Sequence, residues 1–210
     1  MIDWSEYAKF FIGLLAIVNP IGIVPVFVGL TRNLTDSERN TVGLRASLTV
    51  GIVLIVALLM GDSLLGFFGI SLDSFRVAGG ILILLMAISM LHGGMSPAKQ
   101  TSEEAQDAEE KENIAVVPLG MPLLAGPGAV STIIIYAHRG HGLTHYALLL
   151  SIALALAILT WLSLRAAPMI AEKLGRTGLN IVTRIMGLIL AAIGVEFMAN
   201  GIKQLLPGLS

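Results

Sequence analysis

Six apolar stretches of membrane-spanning length follow one another along the chain, at roughly 10–30, 46–68, 75–94, 115–137, 146–166 and 181–206. A helix needs about 20 such residues to cross the hydrocarbon core, so this succession leaves little sequence for anything but a membrane bundle. In lipid the backbone must satisfy its own hydrogen bonds, and apolar runs of this length do so as helices. Two of the runs are broken internally, at Asn19-Pro20-Ile21-Gly22 and at Gly126-Pro127-Gly128. Proline removes a backbone donor and clashes with the preceding turn, while glycine lets the chain leave helical geometry. Irregular backbone at membrane depth persists only where protein or a polar cavity surrounds it. Breaks at corresponding places in two halves of a chain therefore point to a substrate site.

Charge supports the same reading by its scarcity. Only 13% of the 210 residues are charged against 55% hydrophobic, and the formal net charge is −1. Nothing global attracts nucleic acid. With no cysteine, disulfides, thiolate metal sites and thiol nucleophiles are excluded. Two acids, Asp3 and Glu6, stand where a secretory signal would carry positive charge, so the first segment is expected to stay attached. Trp4 and Tyr7 sit where interfacial aromatic anchors are expected.

With six spans both termini share a side. Arg32, Arg39, Arg45, Lys99, Lys111, Arg165, Lys173, Arg176 and Arg184 then fall on one side, and Lys9, Arg76, Arg139 and Lys203 on the other. The excess of basic residues marks the cytoplasmic face, which predicts a multi-pass protein of the cytoplasmic membrane with both termini outside the cytoplasm. The acidic segment 95–113 becomes a cytoplasmic linker, and Asp62, near a segment end, an interfacial residue.

An internal repeat appears when Arg76 is laid on Arg184. Gly79 then meets Gly187, Ile81 meets Ile189, Leu82 meets Leu190, Met90 meets Met198 and Gly93 meets Gly201. Pro20 precedes Arg76 by 56 residues and Pro127 precedes Arg184 by 57. The chain divides into a first three-helix repeat (1–94), the linker, and a second repeat (114–210). An odd number of spans per half turns the second upside down, the plan of many secondary transporters. The expected fold is all-α, with the first and fourth spans discontinuous.

A helix stopping near Val18 leaves carbonyls without partners, and one restarting near Gly22 leaves amides free. The same holds between Leu124 and Ala129. Two donor-rich and two acceptor-rich ends in one cavity suit a small zwitterion, with amides on the carboxylate and carbonyls on the ammonium. The expected substrate-binding residues are Asn19, Pro20, Gly22, Gly126, Pro127, Gly128, Ser131 and Thr132. Asn19 either caps the restarting helix or meets the ligand. Ser131 and Thr132 either line the site or bond to their own preceding turn. Glu196, about fifteen positions into the last span, is the candidate for coupling to H+ or Na+, or else a carboxyl satisfied by Asn200 one turn on. Arg76 and Arg184 read as headgroup anchors, with Asp73 available to pair with Arg76. His138, His141 and His145 crowd one connection without a carboxylate in it, which does not amount to a metal site. No nucleotide loop, zinc-protease or serine-hydrolase signature is present, so neither a catalytic residue nor a cofactor is expected.

The breaks, together with GISLDSFRVAGGILIL (69–84), VVPLGMPLLAGPGAVSTII (116–134) and RTGLNIVTRIMGLILAAIGVEF (176–197), resemble the MarC family of bacterial and archaeal inner-membrane proteins over nearly the whole chain. The resemblance implies six spans with an inverted repeat. By analogy with the family's SnatA member, it also implies ion-coupled transport of small neutral amino acids such as glycine and alanine. Family-type break residues fall on Asn19, Pro20, Gly22, Gly126, Pro127 and Gly128. A channel or exporter for other small solutes, a non-transporting scaffold, and homo-oligomerisation in the lipid all remain open from sequence.

Overall fold

The computed structural model describes residues 4–92, 114–140 and 142–206. The linker 95–113 and His141 lie outside the described residues. Among the described residues all regular structure is helical: α1 (Trp4–Val18), α2 (Val24–Leu30), α3 (Asp36–Phe67), α4 (Leu72–Leu91), α5 (Ala115–Leu124), α6 (Pro127–Ala137), α7 (Leu143–Arg165) and α8 (Ala167–Leu205). Among the described residues four helices are long and apolar enough to cross a membrane: α3, α4, α7 and the Thr177–Leu205 part of α8. The other two apolar stretches are each divided into a pair of short helices, so the structure holds four uninterrupted candidate spans rather than six.

Local chemistry sets most of the boundaries. α3 starts ten residues before its apolar run because Thr35 and Glu38 form a capping box: Glu38 N–H donates to Thr35 Oγ1 and Thr35 N–H to Glu38 Oε2 (2.9 Å). It runs on to Phe67, past Asp62, so the last turn stays helical. Ser71 caps α4 by accepting from Ser74 N–H (3.1 Å). α5 is π-helical, with Val117 and Met121 in extended conformations. Each stands directly before a proline, which disfavours helical geometry in the residue it follows. In α8, Gly175 adopts φ 59° and ψ −177°, a combination essentially restricted to glycine, and separates a short leading helix from the long span.

The outward faces are apolar. Leu44, Leu48, Ile52 and Val56 stand exposed at every fourth position of α3, and Leu154, Ile158 and Leu162 do the same on α7. That stripe suits lipid and is ill suited to water. Inside, α4 and α8 form an antiparallel pair built on glycines seven residues apart. A β-carbon on Gly194 would stand 2.8 Å from Gly80 O, one on Gly187 3.1 Å from Ala87 O, and one on Gly201 2.9 Å from Asp73 O. Seven steps along α4 match seven steps back along α8, so the backbones touch at each repeat. α3 and α7 pack antiparallel as well, with Gly51 facing Ala157 and Gly43 facing Leu164. Of the short helices, α6 lies on α4 and α2 lies on α8.

Candidate functional site

The first break begins with a helix stop built for asparagine. Asn19 adopts φ +47°, the left-handed conformation that asparagine tolerates better than most residues, and its N–H still reaches Leu15 O at 2.8 Å. Pro20 follows, so α1 cannot continue. The chain then turns through Ile21 and Gly22, and α2 resumes at Val24. The restart is therefore two residues later than Gly22, because Pro25 occupies the first turn of α2, the place where a missing N–H costs nothing. Gly22 N–H donates to Asn19 Oδ1 (3.1 Å). That bond fixes which end of the carboxamide is oxygen and leaves Asn19 Nδ2 facing Met90 Sδ at 3.9 Å. Asn19 is 8% exposed, so this amide is a buried donor whose one hydrogen-bond contact among the described residues is a weak acceptor.

The second break is shorter. α5 ends at Leu124, Gly126 caps α6 in an extended conformation (φ −77°, ψ 174°), and Pro127 takes the first helical turn. Ala129 and Val130 N–H both turn back to Gly126 O (3.0 and 3.1 Å). Ser131 Oγ donates to Pro127 O and Thr132 Oγ1 to Gly128 O, each at 2.7 Å. Both hydroxyls thus bond to their own preceding turn, and both side chains are buried.

The breaks come together on α4. A β-carbon on Gly128 would stand 2.7 Å from Ile83 Cγ1 and 3.3 Å from Ile17 Cγ2, two residues before Asn19. Gly79, one turn earlier on α4, lies against Ser131, and Met90, two turns on from Ile83, lies against Asn19. Seven residues of α4 separate Ile83 from Met90, about 10 Å of helix. Asn19, Gly22, Gly128 and Ser131 thus share one region, with Pro20 buried and Pro127 exposed at its edges. Ile17, Gly79, Ile83 and Met90 belong to it too. Of these four, Gly79 and Met90 carried a sequence signal, as matches to Gly187 and Met198 in the repeat.

Glu196 lies elsewhere. The buried face of α8 carries Gly187, Leu190, Gly194 and Gly201, and a residue two beyond Gly194 points to the opposite side. Glu196 is accordingly exposed, and Asn200 Nδ2 donates to its backbone O (2.9 Å) and to Oε1 (2.8 Å). Arg76 pairs with Asp73 at 3.0 Å, and Arg184 stands exposed on α8.

A polar cluster closes the end of the bundle where α1 begins. Tyr7 Oη lies 2.6 Å from His145 Nδ1, and His145 Nε2 lies 3.1 Å from Tyr136 O. With Nε2–H donating to that carbonyl, Nδ1 accepts from the tyrosine hydroxyl. Phe10 stacks on Tyr136 with ring centroids 3.9 Å apart, and Arg139 reaches Glu6 at 3.4 Å. Asp62, from α3, supplies the carboxylate missing from the histidine connection, 3.4 Å from His138 Nε2. α1 therefore lies antiparallel on α6 from Phe10 to Ile17, with Tyr7 reaching His145 of α7. No contact of that extent joins α2 and α5 among the described residues.

Comparison with known proteins adds a consistent finding. A model of the MarC family of integral membrane proteins matches residues 4–206. The chain is 47% identical to the UPF0056 membrane protein YhcE of Escherichia coli, over 99% of this chain and 96% of that protein. It is 38% identical to a UPF0056 membrane protein of Methanocaldococcus jannaschii, over 96% and 98% respectively. With the UPF0056 membrane protein YvbG of Bacillus subtilis the identity is 36%, over 99% of each chain. No solved structure matches the chain.

Proposed function

The chain belongs to the MarC family of integral membrane proteins, and on that premise we propose that it is a secondary transporter of small neutral amino acids working by alternating access. The observation that carries this reading is the meeting of the two breaks on α4, with the buried Asn19 Nδ2 directed at nothing stronger than a thioether. A buried donor left without a good acceptor costs roughly 1–3 kcal/mol, and a substrate carboxylate would remove that cost. The amino end of α6, where Pro127 has no N–H and Ala129 and Val130 N–H bond to Gly126 O, adds the Gly128 N–H and a positive dipole end. The carbonyl end of α1 offers acceptors to an ammonium group. Glycine at 22, 79 and 128 lets Asn19, Ser131, Ile83 and Ile17 approach the backbone of the breaks closely, which favours a compact substrate.

The reading takes α1–α2 and α5–α6 as discontinuous spans, which makes six crossings in two inverted three-helix repeats. Support comes from the α4–α8 pair. The repeat offset lays Arg76 on Arg184, and these equivalent helices pack antiparallel in seven-residue register, as a two-fold axis in the membrane plane requires. The packing of α6 on α4 and of α2 on α8 repeats the same relation. Both termini then lie outside the cytoplasm, and the Tyr7, Phe10, Tyr136 and His145 contacts form the outer closure. Alternating access exchanges this α1–α6 seal for one between their repeat counterparts, α5 and α2. Transport is coupled to a proton or sodium gradient. Glu196 stands on the exposed face of α8 with Asn200, so any part it takes in coupling is not by contact with the substrate.

Thermal unfolding in detergent tests the recognition step. Glycine and alanine are expected to raise the unfolding midpoint, by about 2.7 kcal/mol in stability at a hundred times their dissociation constant. Acetate or methylamine alone, each carrying one half of the zwitterion, will not. A midpoint unmoved by every small neutral amino acid would overturn the assignment of substrate class.

A further inference from the structure

The exposed face of α8 carries an unusual interruption. Ile181, Ile185 and Leu188 continue into Ala192, Val195 and Ala199 as an apolar stripe facing away from the bundle, and Glu196 with Asn200 lies in the middle of it. Glu196 comes twelve residues after Arg184 and seven before Lys203. At the helical rise these are about 18 Å and about 10 Å, so the carboxyl falls inside a hydrocarbon core about 30 Å thick. Lipid tails offer it no partner.

The hydrogen bonds within the pair leave two groups over. Asn200 Nδ2 spends its donors on Glu196 O and Oε1, which leaves Glu196 Oε2 and Asn200 Oδ1, on two exposed residues, without a partner among the described residues. In the acid form Oε2–H is a donor and Asn200 Oδ1 an acceptor. The two groups are complementary to each other, yet Asn200 already holds the adjacent oxygen, so one copy cannot close both bonds.

We propose that this face of α8 is the interface with a second copy of the chain, related by a two-fold axis along the membrane normal. Copies inserted in the same sense place their α8 helices side by side and parallel. Glu196 Oε2–H of each copy then donates to Asn200 Oδ1 of the other, giving two equivalent bonds, as an isologous contact requires. Ala192 and Ala199, about one turn to either side of Glu196, let the two backbones approach closely enough for those bonds to form. The apolar faces of α3, α4 and α7 carry no such pair at comparable depth among the described residues, which singles out α8.

The absence of cysteine from the chain makes the test direct. The full chain is reconstituted in lipid at low density, and its subunits are counted by stepwise photobleaching. Dimers are expected for the unaltered chain and for Glu196→Gln, whose carboxamide keeps a donor beside an acceptor. Glu196→Leu, better suited to lipid, is expected to weaken association by about tenfold or more. A single Ala199→Cys should oxidise to a disulfide-linked dimer, and Leu85→Cys on the exposed face of α4 should not. A monomeric unaltered chain, undiminished dimers with Glu196→Leu, or equal cross-linking at positions 85 and 199 would each overturn the proposal. None of these readouts depends on transport.

Discussion

Gly128→Val will abolish amino acid uptake while the protein still inserts in the membrane. A β-carbon at this position meets Ile83 Cγ1 at 2.7 Å and Ile17 Cγ2 at 3.3 Å, and valine adds two methyl groups beyond it. Ile83 and Ile17 are both buried, so neither can swing away into open space. Overpacking of this kind costs about 1–3 kcal/mol, less than the stabilisation that the other helices supply, so the bundle survives with its site prised apart. The substitution separates α6 from α1 and α4 at the point where the two breaks approach. Uptake of labelled alanine into proteoliposomes should fall to the protein-free background, and the amount of protein in the membrane fraction should stay within about twofold of the unaltered chain. Gly13→Ala on α1, where an added β-carbon meets nothing within 4 Å, should leave uptake unchanged and so serves as the comparison.

Gly22→Val should be equally severe by a different route. A β-carbon there collides with the Asn19 carboxamide, nitrogen and oxygen alike. The collision expels the side chain, breaks the bond from Gly22 N–H to Asn19 Oδ1, and removes Nδ2 from the region of Met90. Uptake should drop to background. The cause can be separated from general damage with Asn19→Gly, because glycine keeps the left-handed conformation at φ +47° and carries nothing to collide with. Asn19→Gly alone should fold and lose substrate affinity. Combined with Gly22→Val it should transport no worse than Asn19→Gly by itself, a non-additivity expected when two residues act through one contact. Fully additive losses would place the damage at Gly22 elsewhere than in Asn19.

Much of this arrangement was legible in the sequence, and the parts that were not share a physical cause. The helix ends at Val18 and Leu124 follow from proline and glycine chemistry that acts within a few residues, and the apolar runs foretold α3, α4, α7 and α8. The restart of α2 falls at Val24 rather than near Gly22 because Pro25 stands in its first turn, and Gly22 alone does not show that. The direction of Glu196 was hidden for a different reason. Depth along a helix is fixed by position, whereas the side it faces depends on which stripe finds a partner, and the glycine ladder at 187, 194 and 201 decided that. Its seven-residue spacing was in view, but spacing alone does not say what packs against it. Of the partners of the breaks on α4, Met90 stood out only as a match to Met198 in the repeat, and Ile83 is an ordinary apolar residue that becomes distinctive only when the chain folds over it. The hydroxyls of Ser131 and Thr132 followed local rules and bonded within their own turn. The capping of Gly22 by Asn19 also took the local option, and the other half of the same side chain was left facing Met90 Sδ.

The central claim is that paired helix breaks form one transport site for small zwitterions. Counterflow tests it most directly: proteoliposomes loaded with unlabelled alanine are diluted into a trace of labelled alanine, with no ion gradient. The account predicts a transient accumulation of label that saturates with concentration, is competed by glycine, and disappears in Gly128→Val. Label that enters no faster than in protein-free vesicles, or that enters without overshoot or saturation, would contradict it.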